Sequence, residues 1–225
     1  GTRSSALGRQ VGAEPLPARP RRADDGAMAT ALPHVLPADE PPLYYSAAMV
    51  DALNRVEQDA VYCYECVDGE LLVTPDVPRP WHAALVDRLY RALVRYADDE
   101  PAAGYVSTQP IRITFGRPDV NVRPDVWAIH TAEWRAQDWE AVTVPLLLVE
   151  VLSPSTQRHD RFPKRRAYMD AGVPLYWVVD GERRHVEVWT PGASFPRFER
   201  EQLTWHPEGA AAPFAYALGA LFAEL

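Results

Sequence analysis

Residues 144–168 read VPLLLVEVLSPSTQRHDRFPKRRAY. The apolar run at 145–149 has the length of a buried strand and is too short for a core helix. Glu150 interrupts it. A carboxylate inside a strand that otherwise reads as core is costly unless a cation compensates it. Past the Ser153-Pro154-Ser155 turn a helix is expected from about Asp160. Asp160, Lys164 and Tyr168 then stand at i, i+4 and i+8, on one helical face.

Lys164 is the only lysine of the chain; the other 22 of its 23 Lys and Arg residues are arginines. A guanidinium stays charged, whereas an ammonium is a compact point charge whose proton affinity its surroundings can tune. The single primary amine therefore stands close in sequence to the single acid of the apolar run.

The chain has 225 residues, a net charge of −8 and 47% hydrophobic residues, in the range of a globular protein with a sizeable core. Such an acidic surface does not attract nucleic acid as a whole, so a nucleic-acid role calls for a local basic patch. Arg158, His159, Arg161, Lys164, Arg165 and Arg166 form one around the lone acid Asp160. The two cysteines, Cys63 and Cys66, supply half of a structural zinc site at most. They lie in a β-branched, aromatic run, where positions i and i+3 point to opposite faces of a strand. That argues for a structural role, and a redox function is the weaker alternative. Few cysteines and no secretory segment make a cytoplasmic location the expectation. No apolar stretch reaches the ~20 residues a membrane helix needs.

Residues 1–42 hold seven prolines and five arginines without apolar periodicity, and disorder is expected there. Met28 is a candidate natural start. One domain is expected over residues 43–225. Its elements read as a helix from Ser46, strands near 61–67 and 70–74 joined at Asp68-Gly69, and a long helix over about 79–98. Leu85, Leu89, Ala92, Leu93 and Tyr96 form the apolar stripe of that helix. Strands at 105–108, 111–115 and 126–129 follow, then a polar connector at 130–143, the 146–152 strand and the helix from Asp160, ending near Ala171-Gly172. Strands at 175–179 and 185–189 and a weaker C-terminal portion complete the chain. The core order reads as helix, three strands, helix, strand, with hairpins added: an α/β (α+β) fold with a mixed sheet.

Asp125 leads into the 126–129 strand as Glu150 ends the next. Adjacent strands can bring both carboxylates to one sheet edge, an arrangement two like charges disfavour and a divalent cation relieves. Hard Mg²⁺ prefers carboxylate oxygens, water and phosphate, and the backbone carbonyl of Val151 can complete such a shell. The Lys164 ammonium could then orient a water or meet the charge that develops on a phosphodiester, while the basic helix holds flanking phosphates.

RPDVWAI, LLLVEVLSPST, the Asp160/Lys164/Tyr168 helix and GVPLYWVVD together resemble the Uma-type family of restriction endonucleases, within the PD-(D/E)XK nuclease superfamily. The resemblance covers about residues 46–189. It implies a restriction-endonuclease-like αβββαβ core and hydrolysis of DNA with Mg²⁺, or Mn²⁺ in its place. It also implies Asp125 and Glu150 as metal ligands and Lys164 as the catalytic lysine. In the same pattern Glu70, in DGELLV, would be an auxiliary acid at the metal and His82 a substrate contact, with Arg161 and Arg165 on the phosphates. The superfamily motif places its lysine two residues after the acid, where this chain has Leu152. Lys164 on the neighbouring helix would replace it, which suits a helix that starts near Asp160, because Pro163 is then tolerated in its first turn. Cutting both strands calls for two active sites, so a homodimer is a further expectation.

Plainer readings stand beside these. Asp125 after Pro124 could cap a strand, Glu150 could pair with Arg165 or Arg166 without a metal, and Asp160 could be an N-cap. His82 could be an ordinary first-turn residue, and Tyr168 and Trp177 packing. A nuclease fold that binds nucleic acid or a protein partner without cutting is the alternative function.

Overall fold

The computed structural model describes residues 44–56, 62–75, 80–136 and 144–225. The expected disorder of residues 1–42 and most of the second half of the polar connector lie outside them.

Helix α1 (Ala47–Val56) precedes a hairpin of β1 (Tyr62–Val67) and β2 (Glu70–Pro75). The hairpin turns where it was expected. Asp68 and Gly69 both take positive φ, 54° and 78°, as a tight two-residue turn that follows the strand twist requires. Helix α2 (Pro80–Asp99) starts on a proline whose missing N–H is no loss there, and it buries Leu85, Leu89 and Leu93 at helical spacing.

The central sheet has six strands in chain order: β3 (Tyr105–Ser107), β4 (Val126–Ile129), β5 (Leu147–Val151), β6 (Tyr176–Asp180), β7 (His185–Trp189) and β8 (Arg197–Glu199). Only the β5–β6 pair is parallel, and the connection between them is helical. Helix α2, strands β3 to β5, that crossover and β6 form the expected αβββαβ core. A second hairpin, β9 (Gln202–Trp205) with β10 (Phe214–Ala217), and a short helix after it cover the α2 side of the sheet.

Two cores lie on the two faces. Leu147, Val149 and Val151 of β5 face the α2 side, whereas Leu148 and Leu152 face the crossover. The period of two therefore sends Glu150 to the crossover side, and Asp125 likewise shares the side of Trp127 and Ile129.

Three expectations are corrected. Residues 111–115 are not a strand; a single bridge, Ile113 to Val122, folds this segment back over the crossover-side core. The connector carries a helix, α3 (Thr131–Ala136). The crossover helix begins before Asp160: Gln157–His159, a π-helical Asp160–Lys164 and Arg165–Asp170 run on without a break and are together called α4. Asp160 is thus inside the helix and not its N-cap. Pro163, the seventh residue of this helix, would in a regular α-helix clash with the carbonyl of His159 and leave it without a donor. The wider π turn removes that conflict. Helix α4 stops at Gly172, φ 79°, where the amides of Gly172 and Val173 return to the carbonyls of Met169 and Tyr168, both at 3.0 Å.

Candidate active site

The register of β4 on β5 sets Val126 opposite Val149, and continuing it sets Asp125 opposite Glu150. The sheet splits there. With no further ladder partner, the Val151 amide donates instead to Asp125 Oδ2 at 2.7 Å. Asp125 also meets His82 Nε2 at 3.4 Å, from the first turn of α2. Burial alone would lower the pKa of His82, but Asp125 and a backbone hydrogen bond at Val151 outweigh it, and the imidazole is held above its ordinary value. Only an acceptor favours the charged ring, so the Val151 partner is its carbonyl.

Lys164 Nζ lies 2.6 Å from Glu150 Oε1, 3.0 Å from Glu65 Oε1 and 3.6 Å from Asp160 Oδ1. All four residues are buried. The amine reaches the edge from inside α4, on the face it shares with Asp160 and Tyr168. Tyr168 donates its hydroxyl to Glu150 Oε1 at 2.8 Å, and Glu150 Oε2 accepts no hydrogen bond from a described residue. Burial works against the charge on Lys164, but Glu150, Glu65 and Asp160 overcome it and hold the ammonium well above its ordinary value. Burial also pushes Glu150 up, against the pull of Lys164. The neighbouring carboxylates add to both shifts, since three of them share one ammonium, and the cluster attracts positive charge.

The same imbalance makes Asp160 a measurable reporter. Burial, opposed by Lys164, raises it from 3.8 to about 6, and its Oδ2 has no hydrogen-bond partner. The folded protein holds that proton more tightly than the unfolded chain. The stability linked to Asp160 is therefore fully present below about pH 4 and is lost as the pH rises through 6. Asp160→Asn, which keeps the shape without the charge, is expected to be more stable than the wild type above pH 7 by about 2–3 kcal/mol. The gap should close near pH 4. Urea denaturation at several pH values checks this, and a pH-independent gap counts against it.

Asp125, Glu150, Val151, His82, Lys164, Glu65 and Asp160 all line one cleft of about 1060 Å³, between the β1–β2 hairpin, α2 and the 153–156 turn. The structure thus gathers Asp125, Glu150, Val151, Lys164 and His82. It does not bring Glu70 to them: Glu70 opens β2 at the hairpin turn and is exposed. The hairpin's contribution is Glu65, which shows the signal that singles out Glu150, an acid inside an otherwise apolar strand.

Nor are Arg161 and Arg165 at the cleft. Arg161 is bound to Glu187 at 2.7 Å and Asp180 at 2.8 Å, both buried acids of β7 and β6. Arg165 donates to the Arg161 carbonyl at 3.0 Å and stacks over Trp189 at 4.5 Å. Neither reaches Glu150. The acids on β6 and β7 claim Arg161, and Trp189 holds Arg165. Arg161→Ala leaves buried Glu187 without its guanidinium, while Asp180 keeps Arg183 at 3.0 Å, and is expected to cost about 3 kcal/mol in urea denaturation.

The donors at the split edge suit a hard divalent cation. Asp125, Glu150 and the Val151 carbonyl all offer oxygens, and the cluster carries more carboxylates than cations. Among the described residues, no group of three or more His, Cys, Asp or Glu side chains is placed to hold a metal ion. A cation here would rely on two carboxylates, one carbonyl and water, as magnesium commonly does.

The family model described as "Uma2: Putative restriction endonuclease" matches residues 50–213. Among solved structures, a chain described as a "putative nuclease belonging to DUF820" from Anabaena variabilis ATCC 29413 superimposes with a TM-score of 0.59 at 18% identity, covering 71% of this chain and 89% of that one. At that identity the likeness establishes a shared fold, the restriction-endonuclease-like one. A search of curated proteins finds no match.

Proposed function

The chain belongs to the Uma2 family of restriction-endonuclease-type proteins, and on that premise we propose that it hydrolyses phosphodiester bonds in DNA with a divalent cation, Mg²⁺ or Mn²⁺. The observation that carries the reading is the Lys164 ammonium 2.6 Å from Glu150 at the edge Asp125 shares. Leu152 stands where the superfamily motif has its lysine, and the amine of Lys164 arrives at the acid from α4 instead.

Asp125, Glu150 and the Val151 carbonyl would hold the cation, which when bound polarises a phosphodiester and makes water a better nucleophile. Lys164 is protonated at neutral pH, so it acts as a donor and not as a base. It can orient a water by donation, or meet the negative charge that grows on the phosphoryl oxygens. Tyr168 fixes the Glu150 carboxylate from behind. His82 does the same for Asp125 from the cleft wall, where it can also meet substrate. A homodimer would supply a site for each DNA strand, and a chain with only two cysteines suits a reducing cytoplasm. No helix among the described residues is long and apolar enough to cross a membrane.

Plasmid nicking tests the proposal. Cleavage is expected with Mg²⁺, lost on chelation and restored by excess Mg²⁺ or Mn²⁺. Cleavage that persists in chelator would overturn the metal's role. DNA binding without cleavage under any cation would favour the non-cutting alternative.

A further inference from the structure

We propose that Glu65, on a hairpin outside the central sheet, is the positioning residue that holds the Lys164 ammonium against Glu150. The effect on cleavage rests on the nuclease reading above; the effect on the lysine does not.

Glu65 meets Nζ with both oxygens, Oε1 at 3.0 Å and Oε2 at 3.2 Å. Its Oε1 also accepts the Arg123 amide at 2.6 Å, two residues before Asp125. One carboxylate thus joins β1, the approach to β4 and α4. Its own place does not depend on the lysine. Cys66 exchanges two backbone hydrogen bonds with Asn121, at 2.9 and 2.8 Å, and the side-chain amide of Asn54 bonds both the N–H and the carbonyl of Tyr64, at 3.1 and 2.8 Å. The residues on either side of Glu65 are therefore pinned, and the carboxylate is presented by a preformed frame.

Helix α4 fixes the backbone of Lys164 but not the end of its side chain. Its stem is long and flexible, and Glu150 and Asp160 lie on the strand and helix sides of it. Without Glu65 the ammonium is free to settle between those two acids, away from the cleft edge. With Glu65 it is held between hairpin and sheet, beside the group expected to bind the cation. The hairpin is then a working part of the site although it adds nothing to the six-stranded sheet.

Lysine-selective ¹⁵N labelling gives one side-chain ammonium resonance, because Lys164 is the only lysine. In the wild type that signal should be sharp and protected from solvent. Glu65→Gln keeps the size and the acceptor for Arg123 but removes the charge; it should shift and broaden the resonance. The same variant should lower kcat 10- to 100-fold with KM within about twofold, the scale seen when a partner of a catalytic group is lost. Glu65→Asp keeps the charge with a shorter reach and should recover the protected signal and part of kcat. This variant carries the test if Glu65→Gln folds poorly. An unchanged resonance in Glu65→Gln overturns the proposal, and so does an altered resonance with wild-type kcat. If the wild type cuts no DNA, the nuclease reading fails, and the resonance alone decides whether Glu65 positions the lysine.

Discussion

Glu150→Gln is expected to reduce metal-dependent cleavage by on the order of 10³-fold, equivalent to about 4 kcal/mol of transition-state stabilisation. The amide keeps the shape of the side chain and still offers Tyr168 an acceptor. It loses the charge that would bind a divalent cation beside Asp125. The fold should survive, because Lys164 retains Glu65 at 3.0 Å and Asp160 at 3.6 Å. Removing one of three acids around a single ammonium even eases the local imbalance. Single-turnover cleavage with saturating Mg²⁺, alongside a thermal melt, makes the test. A variant that cuts within tenfold of the wild type would remove Glu150 from the site's chemistry, whatever its geometry.

Lys164→Met should show the largest stability effect. The methionine fills much of the same volume, but Glu65, Glu150 and Asp160 are left buried around no cation. Breaking a buried pair from one side costs about 3–5 kcal/mol, more than the intact pair contributes over an apolar replacement. The sign with pH is determined. The stranded acids gain proton affinity in the folded state, so the deficit should be greatest above pH 7 and shrink as the pH falls and they become neutral. Adding Glu150→Gln to Lys164→Met should restore part of the loss, because the two sites share one interaction and their effects do not add. Urea denaturation of the two single variants and the double variant reads this directly. Purely additive losses would mean that the cluster is not coupled.

The retained amine is the feature that connects chemistry and stability. A guanidinium at position 164 would keep the charge, but its planar fork could not fit the space among three converging carboxylates as a compact ammonium does. That offers a physical reason for one lysine among 22 arginines.

Much of this was legible before any coordinate. The 145–149 run was readable because a strand buried on both faces is continuously apolar, and the α2 stripe because burial on one helical face imposes a period of 3.6, which survives in a sequence whatever surrounds it. Glu150 was readable for the opposite reason: it breaks such a pattern where the cost is high. Lys164 stood out by composition alone. The 111–115 segment misled because its residues suit a strand, yet one bridge to Val122 is all the pairing it makes. Strand formation depends on a partner, and the sequence of a strand does not name one.

What the linear chain determined by itself was the order of the core elements, the hairpin turn at Asp68-Gly69 and the pairing of an acid-bearing strand with a lysine-bearing helix. These depend on local backbone preference and on which side chains tolerate water. What only the tertiary structure decided was which charges meet. Arg161 and Arg165 looked free in sequence and are claimed by Asp180, Glu187 and Trp189; Glu70 looked like the hairpin's acid, and Glu65 is the one on Lys164. Charge pairing acts across space, between residues as far apart as 65 and 164. It is settled by strand register and by a π turn that no pattern of hydrophobicity records.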